Sequence, residues 1–241
     1  MSTKITRYMS FASFVSFLKN GIFVPQAAKF SDKWEGLLPL SKIQEDHHED
    51  YQGMRDLLSP FTYISCWHSS VHESYAMWKV YGRISEAVAI ETTIEKLQAA
   101  YKTSYPSTLA YLGDVKYVDT NTPNKVELPK GMKTICKPPA DVAGGAYFPI
   151  MLFYYLKHIG YEYEKEVRLV ALDESFDDEK ENTNDGIYID HTRVENFLSS
   201  VRIFPESSGW FKEVVNDVLV KYGQEVTVYD STLNGPQYNR G

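Results

Sequence analysis

Glu162, Glu164 and Glu166 alternate along YEYEKEVRLVAL, residues 161–172. In an extended chain successive side chains point to opposite faces, so this spacing predicts three carboxylates on one strand face. Like charges that close repel one another unless a cation or a ligand hydroxyl sits among them. One carboxyl can then take a raised pKa or accept a strong hydrogen bond, as functional carboxyls do. The plain alternative is an exposed strand edge with charged gatekeepers, balanced by Lys165 and Arg168.

The histidines offer a second chemistry. His68 and His72 lie four apart just after Cys66, and His47-His48-Glu49-Asp50 is a polar cluster. A metal site wants three or four converging ligands. Cys66 and His68 share one expected strand face, but His72 falls in the next element and no fourth ligand stands out. Solvated or helix-capping roles are therefore the expectation, with no metal. A Cys66 nucleophile paired with His158 or His72 lacks a local signature. The chain contains no G-x-x-x-x-G-K-[ST], no G-x-G-x-x-G and no G-x-S-x-G, so phosphate-loop, Rossmann and α/β-hydrolase chemistries are unsupported. What remains is Arg7-Tyr8 near the start and an aromatic group, Trp67, Trp78 and Tyr81, around 62–82.

These residues need elements to position them. KITRYM, 4–9, reads as a strand, and Ser10 as the N-cap of a helix over FASFVSFLK that Gly21 ends. IFVPQ follows as a strand whose Pro25 suits a sheet edge. A polar helix is predicted over 42–58, a strand at 62–67 and a helix at 71–82 with Ala76, Met77, Val80 and Tyr81 on one face. Then come a buried strand at 86–92, a helix, and a strand at 109–119. Residues 120–146 form a long irregular loop bearing Lys125, Lys130, Lys133 and Lys137. The apolar run 147–158 predicts a buried helix, and 161–172 a strand. After the acidic turn 173–185 the pattern predicts strand 186–190, helix 191–200, strand 201–205, an amphipathic helix and a closing strand. The mixture without strict alternation predicts an α+β or mixed α/β fold in one domain, 1–241.

Composition narrows the function classes. The 241 residues are 43% hydrophobic and 24% charged, which excludes whole-chain disorder, collagen and coiled coil. No apolar run is long enough to span a bilayer, and MSTKITRYMS lacks a signal-peptide core. Two cysteines make no disulfide framework. The expectation is a cytoplasmic protein with reduced thiols and no membrane partner. The net charge of −7, with the acidic excess gathered in 162–195, argues against extended nucleic-acid binding.

The stretch SCWHSSVHESYAMWKVYG, 65–82, resembles the hallmark of a bacterial family of unknown function, domain number twenty-nine seventy-one. TRYMSFASFVSFLKNGIFV, 6–24, resembles its opening. KFSDKWEG, 29–36, resembles its F-N-D-P-F-E-G turn, departing at Ser31, Lys33 and Trp34. YLKHIGYEYEKEVRLV, 155–170, resembles its late K-H-x-x-x-x-x-E-K-E-x-R segment. The chain also resembles, more weakly, the ADP-ribosyltransferase fold, which opens strand–helix–strand and carries its catalytic Glu at the start of a late strand. That resemblance implies a central, mostly antiparallel split sheet with flanking helices, and NAD as substrate. Arg7 would hold the pyrophosphate as a planar charged fork. Tyr8, Trp78 or Tyr81 would stack on a ring of the NAD, with Ser65 and Trp67 in the same middle region. Glu166 would stabilise the oxocarbenium-like ribose, and Glu164 would accept the proton of the nucleophile.

The function expected on this basis is ADP-ribosyl transfer from NAD to a macromolecular acceptor, protein or nucleic acid, by a toxin or phage-defence effector. The rival readings are a non-catalytic binding or regulatory module, and a metal-dependent hydrolase or nuclease using His68, His72 and the carboxylates.

Overall fold

The computed structural model describes residues 3–30, 53, 55–82, 86–119, 132–136, 151–173 and 182–235. Most of the polar helix expected over 42–58, of the loop 120–146 and of the acidic turn 173–185 lies outside the described residues. The first elements are β1 (Lys4–Ser10), α1 (Phe11–Asn20), β2 (Ile22–Pro25), β3 (Thr62–His68), β4 (Ala87–Thr93) and α2 (Ile94–Ser104). They are followed by β5 (Ala110–Asp114), β6 (Lys116–Val118), β7 (Lys133–Cys136), β8 (Leu156–His158), β9 (Glu166–Leu172) and β10 (Gly186–Ile189). β11 (Ser200–Ile203), α3 (Gly209–Lys221) and β12 (Val228–Tyr229) complete the chain. The fold is mixed α/β, with helices and a large, mostly antiparallel sheet.

Two compact units divide the residues. The first comprises Met1–Ile22, His68–Ala100 and Asp190–Gly241. Its strands run in the order β12-β11-β4-β1. β1 pairs antiparallel with β4 from Lys4 opposite Thr93 to Ser10 opposite Ala87. Thr6 also lies opposite His68. The opening reads as expected: Ser10 Oγ accepts from the Ser13 N–H (3.2 Å) and caps α1. Gly21, at φ 97, ends it with its N–H on Phe17 O, a backbone state that glycine reaches without strain. α1 buries Phe14, Phe17 and Leu18. Tyr8, Met77, Trp78, Ala87, Ala89 and Phe204 form a second apolar group in this unit.

The second unit comprises Phe23–Trp67 and Tyr101–Ile189. Here the order is β3-β9-β5-β7, with β6 beside β8 and β2 beside β10 as two-stranded pairs. β9 is buried at every position and pairs antiparallel with β5, Ala110 opposite Ala171 and Asp114 opposite Val167. Its core gathers Leu58, Phe61, Ile64, Leu109, Met151 to Tyr155, Val170 and Leu172.

Several elements depart from the periodicity. The run 147–158 is described from Met151 on, where Leu152–Tyr155 forms a 3-10 turn and Leu156–His158 pairs with β6. An apolar run buried on all sides carries no period, so helix and strand cannot be told apart from it. Residues 109–119 make two strands, with Val115 N–H donating to Glu166 O (2.9 Å) between them. Helix 191–200 does not form: Asp190 Oδ1 accepts from Thr192 N–H (3.0 Å), and Asn196 adopts left-handed φ 51, so the segment is a series of turns. The 71–82 helix is one turn, Tyr75–Met77, followed by a wider π-type turn, Trp78–Gly82. It buries Met77 and Trp78, while Ala76, Val80 and Tyr81 are exposed. The closing strand is only β12.

Candidate active site

The late carboxylates arrive by a turn rather than along a strand. Ile159–Glu164 is a 3-10 helix, and His158 Nδ1 caps it by accepting from the Gly160 N–H (3.0 Å). Lys165 ends it in the left-handed region at φ 42, and Glu166 begins β9. The expected period of two therefore fails, and the three glutamates do not share a strand face. Glu162 is exposed, whereas Glu164 and Glu166 are 2% and 5% exposed.

A buried carboxylate needs a partner, and the sequence supplies two. Lys157 on β8 places Nζ 2.5 Å from Glu164 Oε2 and 2.7 Å from Glu166 Oε1. Arg168, fully buried on β9, donates from Nε to Glu166 Oε2 (2.5 Å) and from Nη1 to Tyr154 O (2.5 Å). Tyr117 on β6 accepts the Glu166 N–H at its hydroxyl (2.9 Å). The Lys157 ammonium also lies 4.7 Å from the centre of the Tyr161 ring. Sequence reasoning passed over Lys157, although the K-H-x-x-x-x-x-E-K-E-x-R segment contains it. Four positions of that segment, Lys157, Glu164, Glu166 and Arg168, form one charge cluster.

The cluster splits the proton affinities of its two acids. Burial alone would raise Glu166, but the Arg168 guanidinium, a hydrogen bond with Glu164 and the Lys157 ammonium outweigh it and hold the carboxyl well below the usual range. Glu164 is pushed up to about 7 by burial, then by its hydrogen bond with Glu166 and that group's charge, against the pull of Lys157. Burial is the largest influence on Lys157 and would lower it, but the Glu166 charge together with the hydrogen bonds to Glu164 and Glu166 outweighs burial and keeps the ammonium protonated beyond the ordinary lysine range. Chemically, this is one carboxylate held ionised beside a second that exchanges a proton near neutrality. Pairs of acids with divided affinities are the usual arrangement for acid–base work at neutral pH.

The other expected residues fall in different settings. In the second unit Ser65 and Trp67 are buried, and Trp67 Nε1 donates to Ser65 Oγ (3.0 Å). In the first unit Arg7 is half-buried and lies opposite Ile90, and Tyr8 lies opposite Ala89. The pleat sends these neighbours to opposite faces of β1, so a ligand lying on one face meets one of them. The Tyr8 ring meets Trp78 edge to face (4.8 Å), and its hydroxyl accepts from the Ser74 N–H (3.1 Å). Trp78 is fully buried as part of that core, whereas Tyr81 is 40% exposed.

His68 is buried with its ring 5.8 Å from Tyr8, and His72 is exposed. Among the described residues no group of three or more His, Cys, Asp or Glu is arranged to hold a metal ion. His47, His48, Glu49 and Asp50 lie outside the described residues.

No protein-family model matches the chain, and no curated protein matches it, so membership of the family that its four segments resemble is not shown. Solved structures similar to it include Thermus sp. 2.9 DarT in complex with ADP-ribosylated ssDNA, at TM-score 0.40 and 6% identity over 94% of this chain and 93% of that one. The same protein in complex with carba-NAD+ gives TM-score 0.40 at 7% identity, over 97% of each chain. Its complex with NAD+ gives 0.38 at 8% identity, over 95% and 96%.

Proposed function

We propose that the protein is an ADP-ribosyltransferase-like enzyme that cleaves NAD at the nicotinamide–ribose bond and passes ADP-ribose to a protein or nucleic-acid acceptor. One observation carries this reading: Glu164 and Glu166 share the Lys157 ammonium yet hold protons with very different strength. Bond cleavage sends the electron pair of the C1′–N bond to the nicotinamide nitrogen and leaves positive charge on the ribose. The ionised Glu166 stabilises that charge, as a carboxylate does in glycoside hydrolysis. When the acceptor attacks C1′, its proton passes to the Glu164 carboxylate. NAD is a substrate here, and the chemistry needs no metal. A split sheet of the ADP-ribosyltransferase kind belongs to the same proposal.

The test is nicotinamide release from NAD by wild type and by Glu166→Gln, each first checked for native circular dichroism. The expected loss is about 10²–10³-fold, the scale for removing one group that meets developing charge. Equal release by the two proteins would overturn the assignment.

A second reading is a non-catalytic binding module. It is favoured by the satisfaction of Glu166, whose two oxygens already accept from Lys157 and Arg168 at 5% exposure. Partner binding retained by a Glu164/Glu166 double variant, with no NAD turnover by wild type, would select it.

A further inference from the structure

We infer that Lys157 is the positioning residue that divides the labour of the two glutamates: seated between them, its ammonium keeps Glu166 ionised and leaves Glu164 as the carboxyl that exchanges a proton. The inference builds on the proposed function only in what the exchanged proton is used for. The division itself is a property of the cluster.

The geometry is asymmetric. Glu166 receives two cations, one on each oxygen, from Lys157 and Arg168. Glu164 receives Lys157 at 2.5 Å. Two cations balance two carboxylates, so these four groups are neutral when fully ionised; with a cation on each oxygen Glu166 holds its charge, and the buried Glu164 beside that charge is the acid that takes a proton. Lys157 is the group the two acids have in common, and at 7% exposure it is itself shielded from water. Remove its charge and, of these two cations, Arg168 is left to the two buried carboxylates. The pair must then retain a proton well into the alkaline range, because an opposite charge within ~4–6 Å moves a carboxyl by 1–3 pH units. Phenols face the cluster from three sides: Tyr117 from β6, Tyr155 beside Arg168, and Tyr161 and Tyr163 from the 3-10 helix. Burial raises Tyr117 and Tyr163 above the ordinary phenol range, so neither supplies charge at neutral pH.

Lys157 is thus distinct from a simple structural ion-pair partner. A structural partner changes stability when it is lost. A residue with this role also changes which acid titrates, and where.

The experiment is a carbon-13 titration of the glutamate carboxyls in the full chain, with Glu164 and Glu166 assigned by their Gln variants. In wild type the Glu164 resonance moves near neutrality, and Glu166 stays flat down to strongly acidic pH. Lys157→Met is expected to shift the Glu164 midpoint upward by about one pH unit or more, while Lys157→Arg, which keeps the charge, returns it toward wild type. A folded Lys157→Met protein with an unmoved Glu164 midpoint overturns the inference.

Should Lys157→Met fail to fold, Lys157→Gln, which keeps a polar head without the charge, takes its place in the same titration. The Glu164 midpoint is expected to rise as in Lys157→Met, and an unmoved midpoint in the folded variant overturns the inference. Failure of the proposed function reads differently: the carboxyl midpoints shift as described, yet no nicotinamide is released, and the division of roles stands without the enzyme.

Discussion

At the scale of residues, the proposed chemistry turns on where a single proton sits. In the proposed reaction Glu164 must be ionised to accept a proton from the acceptor, and burial and its bond with Glu166 push its carboxyl up to about 7. ADP-ribose transfer is therefore expected to rise with pH through a limb near neutrality. That limb should vanish in Glu164→Gln, whose residual activity stays flat across it. A Glu164→Gln profile with the limb intact would assign the titration to another group. Glu166 carries a structural burden as well. Its loss strands the buried Arg168, and breaking a buried pair from one side typically costs about 3–5 kcal/mol. The sequence exposed the two acids but not their setting. Their alternate spacing suggested a shared strand face with Glu162, while the true organiser, Lys157, stands seven residues before Glu164 and shows no short-range pattern with it.

At the scale of elements, one backbone state at Lys165 makes the convergence. Its φ of 42 turns the chain between a 3-10 helix and β9, so that residues two apart both reach Lys157. A non-glycine residue there is strained, and a β-branched one more so. Lys165→Gly is expected to leave thermal stability unchanged or raise it by up to about 1 kcal/mol, and Lys165→Val to lower it by about 1–2 kcal/mol. Equal stability of the two variants would contradict a left-handed Lys165. Elements with explicit punctuation were legible from sequence. Ser10 and Gly21 bracket α1 as expected, and β1, β4 and α3 form close to their expected spans. Elements without it were not: the uniformly apolar run before His158 hid a 3-10 turn and a strand, and the Asp190–Thr192 side-chain turn displaced a helix.

At the scale of the whole molecule, the ionisable groups set how stability depends on pH. His191 is 1% exposed, and its ring stacks on Phe17 at 4.2 Å. Neither ring nitrogen has a hydrogen-bond partner among the described residues. Burial lowers its pKa to about 4 from the model-peptide value of 6.5. Between those values the unfolded chain binds more protons than the folded one. The stability due to neutral His191 is therefore full above 6.5 and is lost as pH falls to about 4, by about 3 kcal/mol in all. Glu164, with its raised pKa, has the opposite slope over much of that window, so the difference between wild type and His191→Phe isolates the effect. Urea melts from pH 7 to 4 should show the variant gaining on wild type as pH falls, and a constant difference would contradict it. No helix among the described residues is long and apolar enough to cross a membrane. Whether the proposed cleavage of NAD occurs at the cluster around Lys157 is decided by supplying NAD labelled in both halves, with cell extract as acceptor, to wild type, Glu164→Gln and Glu166→Gln. Wild type is expected to release nicotinamide and transfer the ADP-ribose label, Glu164→Gln to release without efficient transfer, and Glu166→Gln to do neither. Undiminished release by a folded Glu166→Gln protein, or none by wild type, would contradict it.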